Sequence, residues 1–517
     1  MPRRRLPRFS ELSEFLIDAQ AVRMLPLRFC EAKGVAVLGP YSSKEELLVG
    51  VLRSDDDELA SMLKRRFSRP IKLVQLTEFE IDRALDVGYG DGSLGIVVDH
   101  HLNIDTPALS SSPTASEIVD DFLLHALQQN ASDIHLESYP GDVDVRLRIG
   151  GVLHQLQTSM TPKNMPEVVS RLKILAKLDV AEHRRPQDGH FRVSVQHGAR
   201  RYPIDFRVNV LPGSFGEDTV LRVLDPDMGL LPVEQLGMSP EVSREFIRLL
   251  QNPEGLILVT GPTGSGKTST LYSALEQIRD GTKKIVTAED PIEYQVSKIN
   301  QKQVSHAMSM ATITRAFLRH DPDVILVGEI RDNETAMLAS RAATTGHLVL
   351  STLHTADAMG AIRRLRSLGL RETEVADSVL AIVAQRLVRK ICESCKSEQE
   401  LSKEESEILG FLADDLSQQG GQGCEACHQS GYQGRIGVFE LLVVTQELQE
   451  QIHDGASPRE LRDNLAKSGH KTLLHHGIES VRAGLTTVSE ILRVIPYREI
   501  QAVLLSRPYG AGEKVNG

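Results

Sequence analysis

The sequence predicts an α/β fold built on a mostly parallel sheet, with an α+β domain and a small N-terminal domain ahead of it. Three observations carry that prediction. An apolar run at 256–260 leads directly into a glycine-rich loop and then a helical stretch, which is the strand–turn–helix order of a parallel α/β unit. Further short apolar runs at 285–287, 324–327 and 348–351 alternate with helical segments. Upstream, two runs alternate apolar and polar residues, as half-buried antiparallel strands do.

In chain order, the first hundred residues carry ordinary globular patterning, and the Pro- and Ser-rich stretch 107–113 reads as a linker, so a first domain spans 1–106. Thr114 and Glu117 have capping-box spacing, and Ile118, Phe122, Leu123 and Leu127 follow at helical intervals, which opens a second domain over 114–224. Within it, Val143, Val145, Leu147 and Ile149 alternate with charged residues before a Gly150-Gly151 turn, a hairpin signal. Ile204, Phe206, Val208 and Val210 form the second alternating run, so Arg207 should project from the face opposite the apolar set. Residues 225–238 read as a connector, and the α/β domain follows over 239–517. Its C-terminal part, 440–517, reads as helices, the first over 441–452, then 460–468, and a last one beginning near Ser489.

A chain of 517 residues with 41% hydrophobic content is long enough for roughly three to four domains with buried cores. It contains no apolar run of the roughly 18 to 20 residues that span a bilayer, and its Arg-rich first residues lack a signal-peptide core, so a cytoplasmic location is expected. The formal net charge of −11 disfavours nucleic acid as a partner. Of five cysteines, four form two C-x-x-C pairs and Cys30 stands alone as a small buried residue, a distribution suited to metal binding in a reducing compartment.

Gly261, Pro262, Thr263, Gly264, Ser265, Gly266, Lys267 and Thr268 complete the pattern G-x-x-x-x-G-K-[ST], with Ser269 opening the helix beyond. Glycines let backbone N–H groups converge on phosphate oxygens, Lys267 reaches the β and γ phosphates, and the Thr268 hydroxyl ligates Mg²⁺. The cofactors expected are therefore ATP and Mg²⁺. Glu329 closes the 324–327 strand, where a carboxylate can orient or activate water for phosphoryl transfer; the alternative is a solvated or capping carboxylate. Glu289, Asp290 and Glu293 end another strand and offer metal or water ligands. His347 and His354 bracket the 348–351 strand, where one imidazole could sense a γ-phosphate or both could be structural.

Cys392, Cys395, Cys424 and Cys427 supply four thiolates, enough to close a tetrahedral Zn²⁺ site, within an insertion over 390–430. Four sulfurs leave no open position, so a structural site is expected; a redox pair is the other reading. His428 adjoins Cys427 but is not needed as a ligand.

The order and spacing of residues 261–268, 289–293, 321–332 and 346–355 resemble the Walker A, Asp, Walker B and His boxes of the secretion ATPase superfamily. The resemblance spans 114 to about 500. It implies a RecA-like ATPase domain preceded by a PAS-like α+β domain, forming a homo-hexameric motor with Glu329 as the catalytic Glu and His347 and His354 in the His box. It also implies that Arg207 and Arg222 deliver positive charge to the γ-phosphate. The tetracysteine insertion followed by residues 431–440 resembles that of assembly ATPases of type II secretion and type IV pili, and residues 25–38 resemble the first domain of type II secretion ATPases. That implies a motor for pseudopilus assembly, held at the inner membrane by the cytoplasmic domain of a bitopic partner and working with a polytopic platform protein. The alternatives are a type IV pilus assembly motor and, from another class, a nucleotide-binding scaffold without turnover.

Overall fold

The computed structural model describes residues 17–97 in part and 113–505 apart from 198–199, 225–230, 306, 414–415 and 428. The linker at 107–113 except Pro113, the start of the connector at 225–230, and His428 lie outside the described residues. The chain forms two compact units, Met1–Gly229 and Leu230–Gly517.

In the first unit, Val35–Gly39, Leu47–Val51 and Ile71–Gln75 make a three-stranded sheet in that order, one pair antiparallel and one parallel. Cys30 is buried in the core beside them, with Val37 and Val49. A second, wholly antiparallel sheet takes seven strands in the order Leu94–Val97, Gln187–His197, Arg200–Gly213, Gly216–Leu224, Asp133–Tyr139, Asp142–Ile149 and Val152–Gln155. Leu94–Val97 lies N-terminal to residue 106, yet its backbone pairs in this larger sheet.

The helix Ala115–Gln128 starts in the capping box: Glu117 N–H donates to Thr114 Oγ1, and the Glu117 carboxylate accepts from Thr114 N–H. Ile118, Val119, Phe122 and Leu123 bury one face of it. Gly150 and Gly151 both have positive φ (59° and 87°) and close the hairpin between Ile149 and Val152, a turn that needs left-handed backbone twice. Ile204, Phe206, Val208 and Val210 are buried, with Phe206 stacked on Phe191 at 5.2 Å, and Arg207 lies on the other face.

The second unit is a seven-stranded sheet in the order Asn300–Gln303, Ile285–Glu289, Val324–Val327, Leu348–Leu353, Gly255–Thr260, Val379–Ile391, Tyr432–Val443. Six strands are parallel; only Tyr432–Val443 runs antiparallel, against Val379–Ile391. The central strands are buried on both faces, which explains their unbroken apolar runs. One core lies under the helix Pro240–Leu249 and the P-loop helix Lys267–Ile278; Val233, Leu236 and Met238, from the stretch expected as connector, are buried in it.

The C-terminal reading needs correction. No helix begins at 441: Leu441, Leu442 and Val443 finish the antiparallel edge strand, opposite Val383, Ile382 and Ala381, and Thr445 then caps the helix Gln446–His453. An apolar run opposite a buried strand gains more as its ladder partner than as a helix start. The helices Pro458–Lys467, Leu473–Arg482, Val488–Val494 and Tyr497–Leu505 follow, the second of them not anticipated. Among the described residues, no helix is long and apolar enough to cross a membrane.

Candidate active site and metal centre

Parallel register brings the C-terminal ends of five neighbouring strands, and the middle of a sixth, to one edge. Thr260 pairs with Leu353 and Ala384, while Val327 pairs with Ser351 and Ala288, so the loop 261–266, His354, Gln385, Glu329 and Glu289 all emerge there. Thr260 ties two of these ends together: its Oγ1 lies 2.6 Å from Thr355 Oγ1 and accepts from Thr355 N–H at 3.0 Å.

The loop has the backbone that phosphate binding demands. Gly261, Gly264 and Gly266 have φ of 154°, 76° and 87°. A Cβ on Gly261 would fall 2.5 Å from Ser265 Oγ, so the loop cannot close around a larger residue there. The helix Lys267–Ile278 follows directly, with no side-chain cap on its first turn. Thr268 is half-buried and Ser269 exposed at that turn, while Pro262 and Thr263 are exposed at the loop tip. Ser265 Oγ is buried and unbonded.

Lys267 Nζ donates to the carbonyls of Gly261 (2.9 Å) and Pro262 (3.0 Å), which holds a nearly buried ammonium across the loop. Burial lowers its pKa to about 8, with Glu329 and Glu293 opposing that shift and Arg386 adding to it. Glu329 is mostly buried; its Oε2 lies 2.6 Å from Arg331 Nε and 3.5 Å from His354 Nε2. Its strand is not adjacent to the P-loop strand. Leu348–Leu353, the strand that leads into His354, stands between them. Burial and Lys267 push the His354 ring below its usual pKa, with Glu329 pulling the other way.

Glu289 and Glu293 differ. Glu289 is 4% exposed and fully engaged: it accepts from the Tyr272 hydroxyl, from Thr287 Oγ1 at 2.5 Å and from Gln301 Nε2 at 3.1 Å. That network holds Tyr272, on the P-loop helix, against the strand end; burial, with the Glu289 bond adding to it, raises the pKa of the Tyr272 phenol. Glu293 is exposed and acts on Lys267 through space.

His347 lies away from that edge. It precedes the strand whose other end carries His354, and its carbonyl accepts from Gly255 N–H, at the far edge of the sheet. Six strand residues at roughly 3.3 Å each leave it about 20 Å from the P-loop edge of its own chain. Its Nδ1 lies 3.0 Å from the carbonyl of Ala342, where it closes the end of the helix Asn333–Ala343. Replacing His347 by Ala should cost about 1 kcal/mol of stability, read as a lower melting temperature, and leave kcat within about twofold. A tenfold fall in kcat would return it to the chemistry.

Arg207 and Arg222 stand directly opposite each other on neighbouring strands of the first unit. The cross-strand row continues to His190 on one side and Asp133 and Arg148 on the other, all on the face away from the core. Arg222 Nε donates to Asp133 Oδ1 at 3.0 Å; Arg207 has no ion-pair partner among the described residues.

The four cysteines converge. Sγ separations are 3.8 Å for Cys392 to Cys424, 3.8 Å for Cys395 to Cys427 and 3.7 Å for Cys424 to Cys427, and all four atoms lie within 4.8 Å of one another. A tetrahedral ion with Zn–S near 2.3 Å requires about 3.8 Å between sulfurs, so the set fits Zn²⁺ and is too open for disulfides. Each pair is turned by a short 3₁₀ segment, Glu393–Cys395 or Glu425–Cys427, and Cys427 Sγ accepts from the N–H groups of Cys424 and Gly431 at 3.2 Å. Gly421 and Gly431 pack backbone to backbone beside the knuckle; a Cβ on Gly421 would lie 1.9 Å from the Gly431 carbonyl oxygen.

Residues 108–493 match the model of the type II/IV secretion system protein family, and residues 5–93 match that of the MshEN domain. The chain belongs to the type II/IV secretion system protein family. It is 36% identical to the type II secretion system ATPase E of Vibrio cholerae, over 92% of this chain and 97% of that protein. It is 38% identical to the type IV pilus assembly ATPase PilB of Thermus thermophilus, over 92% of this chain but 54% of that protein. Among solved structures, the pilus retraction motor PilT with bound ADP is similar at a TM-score of 0.50 and 28% identity, covering 73% of this chain and 96% of that one. As a member of the secretion ATPase family, the chain hydrolyses ATP with Mg²⁺ to drive secretion.

Residue patterns missed three contributors to the site: Arg331, Tyr272 and the Gln385-Arg386 pair. Arg331 and Tyr272 are ordinary in their local sequence. Gln385 and Arg386 left a visible signal, two polar residues inside the otherwise apolar run 379–388.

Proposed function

We propose that this chain is the motor of a type II secretion system, converting ATP hydrolysis into pseudopilus assembly at the inner membrane. The observation that carries the reading is the convergence of Lys267, Glu329 and His354 at one sheet edge beside a loop that only glycines can form. The choice of secretion over pili is supported by the chain matching the secretion ATPase along nearly its whole length, and the pilus ATPase along about half of its length.

In this reading, the N–H groups of residues 264–268 and Lys267 Nζ bind the phosphates, so Lys267 exchanges two loop carbonyls for phosphoryl oxygens. Mg²⁺, held through Thr268, would neutralise charge developing between the β and γ phosphates. Glu329 orients the attacking water and accepts its proton, with Arg331 and His354 setting the carboxylate's direction. Glu289 holds the P-loop helix in place, and Glu293 tempers the charge of Lys267. Arg207 and Arg222 bring positive charge to the γ-phosphate from the antiparallel unit, within one chain or from its neighbour in a ring. Such a ring requires head-to-tail interfaces, and six copies are proposed.

The N-terminal domain is proposed to dock on the cytoplasmic domain of a bitopic inner-membrane protein, with a polytopic platform protein as the motor's load. That would hold the chain at the cytoplasmic face of the membrane. Lys267→Ala tests both chemistry and pathway. The variant should bind ATP roughly 10- to 100-fold more weakly, from loss of a charge-assisted contact, and should have no measurable turnover. Cells carrying it should retain exported proteins in the periplasm while surface pili persist. Loss of pili with secretion intact would replace this reading with pilus assembly.

A further inference from the structure

The strand Val379–Ile391 lies beside the P-loop strand and buries two polar residues at its middle: Gln385 is 2% exposed and Arg386 is 4% exposed. Side chains alternate along a strand, so the two face opposite ways. Gln385 turns to the P-loop. Its Oε1 accepts from Thr270 Oγ1 at 2.8 Å, its backbone carbonyl oxygen lies 2.6 Å from where a Cβ of Gly261 would stand, and its Nε2 lies 2.8 Å from the same point on Gly266. One residue thus packs against the first and last glycines of the loop and bonds the helix that follows.

Arg386 turns to the other side. Its guanidinium donates to the carbonyls of Gln385 (3.0 Å), Ala356 (2.5 Å) and Val494 (3.1 Å), with Glu499 at 3.8 Å. Ala356 lies two residues after His354, and Val494 and Glu499 belong to the C-terminal helices Val488–Val494 and Tyr497–Leu505. A buried guanidinium is tolerated only when its donors are satisfied, and three backbone carbonyls fix its position more narrowly than one flexible carboxylate would. Gln385 contacts the loop and helix that carry the phosphate-binding motif, and Arg386 contacts the segment after His354.

We propose that Gln385 and Arg386 are positioning residues for ATP turnover: Gln385 fixes the spacing of the P-loop glycines through Thr270, and Arg386 fixes the His354 loop to the same strand and to the C-terminal helices. The proposal rests on the P-loop being the site of hydrolysis. Its consequence is that docking of the C-terminal helices sets the geometry of the nucleotide site from behind.

The test uses the full chain with Mg²⁺, measuring steady-state ATP hydrolysis, binding of a fluorescent ATP analogue and the melting temperature. Gln385→Ala should lower kcat by about 10- to 100-fold, the range expected when a loop shifts by a fraction of an ångström to an ångström, with a smaller change in ATP affinity. Thr270→Val should lose a similar factor, and the double variant should lose no more than the worse single one, because both remove the same bond. Turnover of Gln385→Ala within twofold of the parent, or losses that multiply in the double variant, would overturn the role of Gln385. Arg386→Lys keeps the charge but cannot satisfy three carbonyls, and should lower kcat at least fivefold at a near-native melting temperature. A fall that only tracks the folded fraction would make Arg386 structural. Lys267→Ala run alongside separates the levels: persistent turnover there removes the P-loop reading itself, whereas its loss with a normal Gln385→Ala removes only this inference.

Discussion

Glu329→Gln should bind ATP within a few-fold of the parent protein and hydrolyse it about 10³-fold more slowly. The amide has the same size and keeps the strand end packed, with Gly328 N–H still bonded to the Ala288 carbonyl and Ile330 N–H to that of Thr352. What changes is charge. The amide cannot accept a proton from water, no longer pairs with Arg331 at 2.6 Å, and removes one of the two carboxylate charges that favour the Lys267 ammonium. Removing a single group aimed at developing charge costs 10²- to 10³-fold in comparable sites, and loss of the group that orients water acts on the same step. Single-turnover hydrolysis beside equilibrium binding separates the two effects. A kcat within tenfold of the parent would take Glu329 out of the chemistry and leave Glu293 as the exposed carboxylate that acts on Lys267.

The second large effect belongs to the metal centre. Full-length protein should carry about one zinc per chain, and Cys427→Ser should carry almost none. Cys427 is the most telling position because its sulfur also accepts the N–H groups of Cys424 and Gly431. Structural Zn²⁺ in small knuckles contributes on the order of 10 kcal/mol to the local fold, so its loss should open residues 392–431 to amide exchange. The opening should reach the edge strand, since Cys392 N–H bonds the Gly431 carbonyl and the neighbouring Tyr432 ring lies 4.1 Å beneath the Arg389 guanidinium. Elemental analysis and exchange measured together provide the check. A zinc-free protein with unchanged protection over 392–431 would show that the sulfurs hold their places without metal.

The two groups of residues were legible to different degrees. The P-loop and the cysteines could be read directly because their chemistry imposes local spacing: eight consecutive residues in one case, two C-x-x-C turns in the other. Glu329 stood out only because a P-loop lies upstream of it; alone, a carboxylate ending a strand is as readily a solvated or capping group. His347 and His354 look equivalent as sequence, two imidazoles flanking one apolar run. They are not equivalent in space, because a strand has two ends and only one of them meets the loop. The helix expected from 441 failed for a related reason: the run to Val443 is apolar in either form, and only its partner Ala381–Val383 makes it a strand.

By itself the sequence determined the chemistry: a phosphate-binding loop, a carboxylate at a strand end, four thiolates in two pairs, and the alternation that turns Arg207 away from its core. Those depend on residues close along the chain, where spacing alone sets geometry. The tertiary structure decided which of them act together. It placed the His354 strand between the loop and Glu329, sent His347 to the opposite edge, enclosed Glu289 in a network with Tyr272, Thr287 and Gln301, and set Gln385 against the loop's first and last glycines. The physical reason is that a parallel sheet joins strands distant in sequence through backbone register, and register is a property of the assembled ladder that no single segment contains.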